Sequence, residues 1–179
     1  MTTSRWLLPV LLLAASFSCG PEEALAPRRF SARSDALSTG VVISQVYGGG
    51  GNATATFTND FIEIFNRGTT PVDVSNWSVQ YASNTGSTWT VTSLGAFGIL
   101  QPGKYLLVQE ASGGGVGSAL PTANVVGLIG MSATAGKVAL VSSSTQLPMT
   151  PACPVASAYV DLVAYGTGAT SQRPPSFRR

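Results

Sequence analysis

The chain has 179 residues, which is enough for one domain of ordinary size with flanking segments. Only 10% of the residues are charged and none is histidine, so the commonest general base and the commonest metal ligand are both missing. The net charge of +2 comes from arginines near the two ends, whereas residues 40–170 carry five acids and three bases. This distribution argues against a basic nucleic-acid-binding surface on the central part of the chain.

Residues 1–19 are predicted to be a signal peptide. Arg5 precedes an apolar stretch over residues 6–15, which is too short to cross a bilayer core of about 30 Å. The segment ends at Cys19 in a pattern that resembles a bacterial lipobox, although Ser16 stands where that motif prefers leucine. We favour lipidation of Cys19 as the first residue of the mature chain. Ordinary cleavage with release of a secreted protein remains the alternative.

The remaining chain divides into three parts. Residues 20–39 mix charge with Pro, Ala and Ser without periodicity, and are predicted to form a flexible tether. Residues 40–168 are predicted to form the folded domain. Residues 169–179 are basic and proline-rich, and are predicted to be a disordered tail that suggests truncation or a frameshift.

The folded part has the alternation and turn chemistry of an all-β protein. Gly, Asn and Pro separate short segments rich in β-branched and aromatic residues, with no convincing amphipathic helix. A short helical turn is expected at residues 131–135. The predicted strands cover residues 41–47, 61–66, 72–74, 77–81, 88–93, 105–109, 137–142 and 159–164. Many short strands at close spacing favour a β-sandwich or barrel.

The 61–66 strand is apolar on both faces, which predicts a central position in a sheet. Glu63 shares one of these faces with Phe61 and Phe65. A buried carboxylate needs hydrogen bonds, so we predict that Glu63 is a structural residue bonded by loop N–H groups or a hydroxyl. No second acid or base has a spacing that would pair with it for catalysis.

Other candidate sites are weaker. The glycine run at residues 48–51 lacks the Gly-Lys-Ser/Thr ending of a phosphate loop and is predicted to be a turn between strands. Asn52, Asn59 and Asp60 could offer oxygens to calcium, but acids are too few for the six or more ligands required. We therefore predict no metal and no cofactor. Trp77 and Trp89 are expected to be core or sheet-face aromatics rather than a sugar platform.

Several segments together resemble the lamin tail domain. They are the 41–47 strand with its glycine-rich loop, NDFIEIFN at 59–66, TPVDVSNWSV at 70–79, LQPGKYLLV at 100–108, AGKVAL at 135–140 and VDLVAYG at 160–166. The resemblance implies an immunoglobulin-like β-sandwich, in which Trp77 and Asp161 are taken as structural residues. It also implies an exported accessory module, of the kind often found beside extracellular nuclease or phosphoesterase domains.

Cys153 is the second cysteine. In bacterial relatives the closing strand is typically followed by another cysteine, and this chain has none there. Cys153 is therefore expected to be a free thiol without function, with an intermolecular disulfide as the alternative.

The sequence thus predicts a non-catalytic interaction or adhesion module, anchored to the bacterial cell envelope through Cys19 or secreted. The membrane is one expected partner, through the lipid anchor. Proteins or surface polymers are further expected partners, and no specific nucleic-acid binding is expected. The alternative is the N-terminal accessory domain of a larger extracellular nuclease or phosphoesterase.

Overall fold

The computed structural model describes residues 40–151 and 154–166, which form an all-β fold as predicted. One turn of 3-10 helix at Ala156–Ala158 is the only helical element within these ranges. The strands are β1 (Val41–Tyr47), β2 (Phe61–Asn66), β3 (Val72–Asp73), β4 (Ser78–Ser83), β5 (Thr90–Ser93), β6 (Ile99–Leu100), β7 (Tyr105–Gln109), β8 (Val125–Val126), β9 (Gly136–Val141) and β10 (Asp161–Tyr165).

Two four-stranded sheets build the sandwich. The first sheet has the order β1-β2-β7-β8, antiparallel except for the parallel β7–β8 pair. The second sheet has the order β10-β9-β4-β5 and is antiparallel throughout. A separate two-stranded ribbon joins β3 to β6. β2 lies inside its sheet, so the prediction of a central strand is confirmed.

The main core lies between the two sheets. Alternate residues of each strand point inward, as the period of two requires. Ile62 and Ile64 of β2 are fully buried there, together with residues of β4, β7 and β9. The inward residues form one continuous apolar cluster that supplies most of the hydrophobic stabilisation.

A second, smaller core covers the outer face of the second sheet. Trp89 and Leu147, from the segments that follow β4 and β9, pack with the outward residues of that sheet. Lys137 is only 1% exposed; its Nζ donates to the carbonyl of Gly86 at 2.7 Å and lies 5.6 Å from the centroid of the Trp89 ring. The second sheet is therefore buried on both faces by the chain itself.

The predicted strands agree with the structure closely. β1, β2 and β7 match the prediction residue for residue, and five others match within two residues at each end. The sequence reading missed β6 and β8, each of only two residues. The helical turn expected at residues 131–135 is wrong, because that segment is an irregular loop.

Several predictions fall on residues 1–39, 152–153 and 167–179, which lie outside the described part of the chain. They concern the signal peptide, Cys19, the tether, Cys153 and the C-terminal tail. Among the described residues, no helix has the length and apolar character needed to cross a membrane.

Candidate functional site

Two buried carboxylates lie side by side at one end of the first sheet. Asp60 immediately precedes β2 and Glu110 immediately follows β7, and these strands are antiparallel neighbours. The backbone N–H of Glu110 donates to the carbonyl of Asp60 at 2.7 Å. Asp60 is 3% exposed and Glu110 is 1% exposed. Two acids so deeply buried need compensating hydrogen bonds.

Asp60 joins two loops to the start of β2. Its Oδ1 accepts the N–H of Gly50 at 2.6 Å, and its Oδ2 accepts the N–H of Met131 at 2.6 Å. Burial raises the pKa of Asp60, and these backbone N–H groups act in the opposite direction. Gly50 must be glycine, because a Cβ there would lie 2.1 Å from the backbone carbonyl carbon of Asn59. Asp60 therefore holds the glycine-rich loop and the loop before β9 together.

Glu110 connects the two sheets. Its Oε2 accepts the N–H of Ile129 at 2.9 Å and the hydroxyl of Thr92, on β5 of the second sheet, at 3.0 Å. Its Oε1 has no hydrogen-bond partner among the described residues. Burial raises the pKa of Glu110 to about 7, and the nearby charge of Asp60 adds to this rise. The Glu110 carboxyl is therefore substantially protonated at neutral pH.

Two tyrosines complete what we call the polar cluster, namely Asp60, Glu110, Tyr81 and Tyr165. The Tyr81 hydroxyl accepts the N–H of Ser132 at 3.1 Å, and the Tyr165 hydroxyl donates to the Ser132 carbonyl at 2.7 Å. Burial raises the pKa of Tyr165. Together with the Asp60 bond to Met131, these bonds fix residues 131–132 of the loop before β9.

A small cleft of about 100 Å³ lies between the glycine-rich loop and residues 111–113 and 130–131. Asp60 lines this cleft, but each of its oxygens already accepts a backbone N–H group. Asn59 donates its side-chain N–H to the backbone carbonyl of Glu110 at 2.9 Å, so its amide group binds the residue that follows β7. Within residues 40–151 and 154–166 there is no group of three or more His, Cys, Asp or Glu residues that could hold a metal ion.

The sequence of the sandwich matches a known family. A profile of the family described as Lamin Tail Domain matches residues 35–153, about two thirds of the chain. The chain belongs to the lamin tail domain family. The two-sheet architecture is accordingly the immunoglobulin-like sandwich of that family. A comparison with curated proteins gave no match.

In this lamin tail domain, Glu63 lies on the outer face of the first sheet and is only half-buried. A β-bulge in β1 leaves Ser44 unpaired, and the Ser44 hydroxyl donates to Glu63 Oε1 at 2.6 Å. The bond comes from a hydroxyl, one of the two kinds of partner predicted for Glu63. A structural role for Glu63 remains a prediction, but the residue is less buried than its apolar neighbours in sequence suggested.

The other two predicted structural residues lie at different places in the lamin tail domain. Asp161 Oδ2 accepts the N–H of Ile43 at 2.8 Å, which joins the edge strand β1 of the first sheet to β10 of the second. Trp77 is half-buried just before β4, where it packs against the main core. Its carbonyl accepts the N–H of Leu94 at 2.9 Å.

Sequence reasoning missed Glu110 altogether and considered Asp60 only as a calcium ligand. The sequence does show one acid directly before one strand and one directly after another. That signal becomes informative only when the two strands are known to be antiparallel neighbours, because their opposite ends then meet at the same edge of the sheet.

Proposed function

We propose that this lamin tail domain is a non-catalytic interaction module, held at the bacterial cell envelope by a lipid on Cys19. The hydrogen bonds of the buried acids support a non-catalytic role. Asp60, Glu110 and Asp161 all accept backbone N–H groups from other segments of the chain. These carboxylates stabilise the sandwich and its loops.

An acid or base that takes part in catalysis must reach the proton that it transfers. Both oxygens of Asp60 are bonded to N–H groups, and Glu110 is 1% exposed, so neither carboxyl is placed to meet a substrate. Glu63 is more accessible, but its hydrogen-bonded neighbour is the Ser44 hydroxyl rather than a second titratable group. These contacts favour a binding role over a hydrolytic one.

The non-catalytic assignment predicts that the purified full-length protein does not hydrolyse DNA, phosphodiesters or carboxylic esters. The assay would be run in a neutral detergent with calcium, magnesium or a chelator. We expect rates equal to the buffer control in every condition. Turnover that co-purifies with the protein and depends on added metal would contradict the assignment.

The anchoring assignment rests on the apolar segment that ends at Cys19. When the full chain is expressed in a bacterial host with labelled fatty acid, we expect label on the wild-type protein and none on Cys19→Ala. Cys153→Ala is the matched control, because it removes the only other cysteine and should keep the label. Recovery of unlabelled wild-type protein in the medium would show that the protein is secreted without a lipid.

A further inference from the structure

The outer face of the first sheet differs from that of the second. The chain covers the second sheet with its own small core, whereas part of the outer face of the first sheet, on β7 and β8, is exposed. Tyr105 on β7 is 55% exposed and Val126 on β8 is 67% exposed. In the described part of the chain, Glu63 is the only charged residue at the outward positions of the four strands.

Glu63 lies between two aromatic groups on this face. Phe65 stacks on Tyr105 of the neighbouring strand, with ring centroids 4.5 Å apart and planes 26° apart. Two residues away on the other side, Phe61 stacks on Tyr47, with centroids 5.4 Å apart and planes 12° apart. Phe57 packs edge-on against both rings, and Phe61 is only 9% exposed. Side chains two residues apart on a strand project from the same face, so these groups flank the carboxylate.

The carboxylate of Glu63 is half satisfied. Its Oε1 accepts the Ser44 hydroxyl, while its Oε2 has neither a hydrogen-bond donor nor a cation among the described residues. Aromatic side chains beside a carboxylate reduce its contact with water, which strengthens an ion pair relative to one in open solvent. They also provide apolar surface for the methylene stem of a long basic side chain. A cation on an aliphatic stem would complement both this carboxylate and the apolar surface beside it.

We propose that the outer face of the first sheet binds a basic protein segment, with an arginine side chain inserted between the two aromatic groups and paired with Glu63. This inference rests on the proposed function as an interaction module, and it specifies the chemical class of the binding partner. A polysaccharide fits this face less well, because sugar rings pack on exposed aromatic faces. Here each ring already has one face stacked on a neighbouring ring.

The probe is the peptide acetyl-Ala-Phe-Arg-Phe-Ala-amide, and its control is the same peptide with neutral citrulline in place of arginine. Both would be titrated into the full-length protein in a neutral detergent and followed by calorimetry. We expect the arginine peptide to bind at least tenfold more tightly than the citrulline peptide. The difference should shrink as salt is added, because a half-exposed ion pair is screened.

Two variants test the site itself. Glu63→Gln keeps the shape and removes the charge, so it should abolish the preference for arginine. Gln45→Arg places a competing cation opposite Glu63 in the strand register and should weaken binding of the arginine peptide at least tenfold. Asp73→Asn is the matched control, since it removes an exposed acid on β3 and should change affinity less than twofold. Unchanged melting temperatures would show that the variants fold.

Four results would overturn the inference. They are equal affinity for the two peptides, an undiminished arginine preference in Glu63→Gln, no binding of either peptide, and binding of a β-glucan hexasaccharide instead of the peptides. Any of these would leave the fatty-acid labelling and hydrolysis results unaffected, so failure of this inference is distinguishable from failure of the proposed function.

Discussion

Asp60→Ala is expected to destabilise the lamin tail domain more than any other single substitution of an acid. It leaves the buried N–H groups of Gly50 and Met131 without an acceptor. Each unsatisfied buried group costs about 1–3 kcal/mol, so the loss of both bonds is expected to cost about 2–6 kcal/mol. Because small domains are stable by only about 5–15 kcal/mol, denaturant unfolding should show a large fall in midpoint.

Asp60→Asn keeps the shape of the side chain but removes its charge and one of its two acceptor oxygens. Asparagine can accept one of the two N–H groups, but its NH₂ would face the other, so we expect most of the loss to persist. Asp73→Ala is the control, because Asp73 bonds only to Ser75 at the surface and its loss should leave the midpoint nearly unchanged. If Asp60→Ala and Asp73→Ala unfolded at the same denaturant concentration, the role given to Asp60 would be wrong.

The second large effect is a pH dependence caused by Glu110. Burial raises the pKa of Glu110 in the folded protein to about 7, against a reference value of 4.5 for the unfolded chain. The folded state then binds a proton more tightly than the unfolded state between these values, so stability falls as pH rises. The stabilising contribution is complete below about pH 4.5 and is lost as the pH rises through 7. The full change corresponds to about 3 kcal/mol.

Glu110→Gln removes this titration and retains one side-chain oxygen for Ile129 and Thr92. We expect the free energy of unfolding of wild type to fall between pH 5 and pH 8, and that of Glu110→Gln to fall much less. Parallel stability curves for wild type and Glu110→Gln would show that Glu110 does not titrate in this range.

Much of the fold could be predicted because its strands carry strong local patterns. β1, β2 and β7 combine β-branched or aromatic residues with clear turn residues at both ends, so their bounds were predicted without error. β6 and β8 could not be found in this way, because two residues are too few to show an alternation. Their existence depends on neighbours that are distant in sequence.

The candidate site was less predictable than the fold. Glu63 was expected to be the buried acid because apolar residues lie on both sides of it, yet those residues are covered by neighbouring aromatic rings on an outer face rather than by a second sheet. The deeply buried acids are Asp60, Glu110 and Asp161. Their burial depends on the pairing of strands and on how loops return over the sandwich, which local sequence does not encode.

The bond between Asp161 and Ile43 joins residues that are 118 positions apart. It pairs one edge of the sandwich with the last strand in the described chain, so β1 cannot reach its final environment until β10 has been synthesised. Contacts of such long range slow folding, because the entropy of closing a long loop must be lost before they form. The sandwich is therefore completed at this edge only by the last described strand, even though β1 and its neighbour β2 are close in sequence.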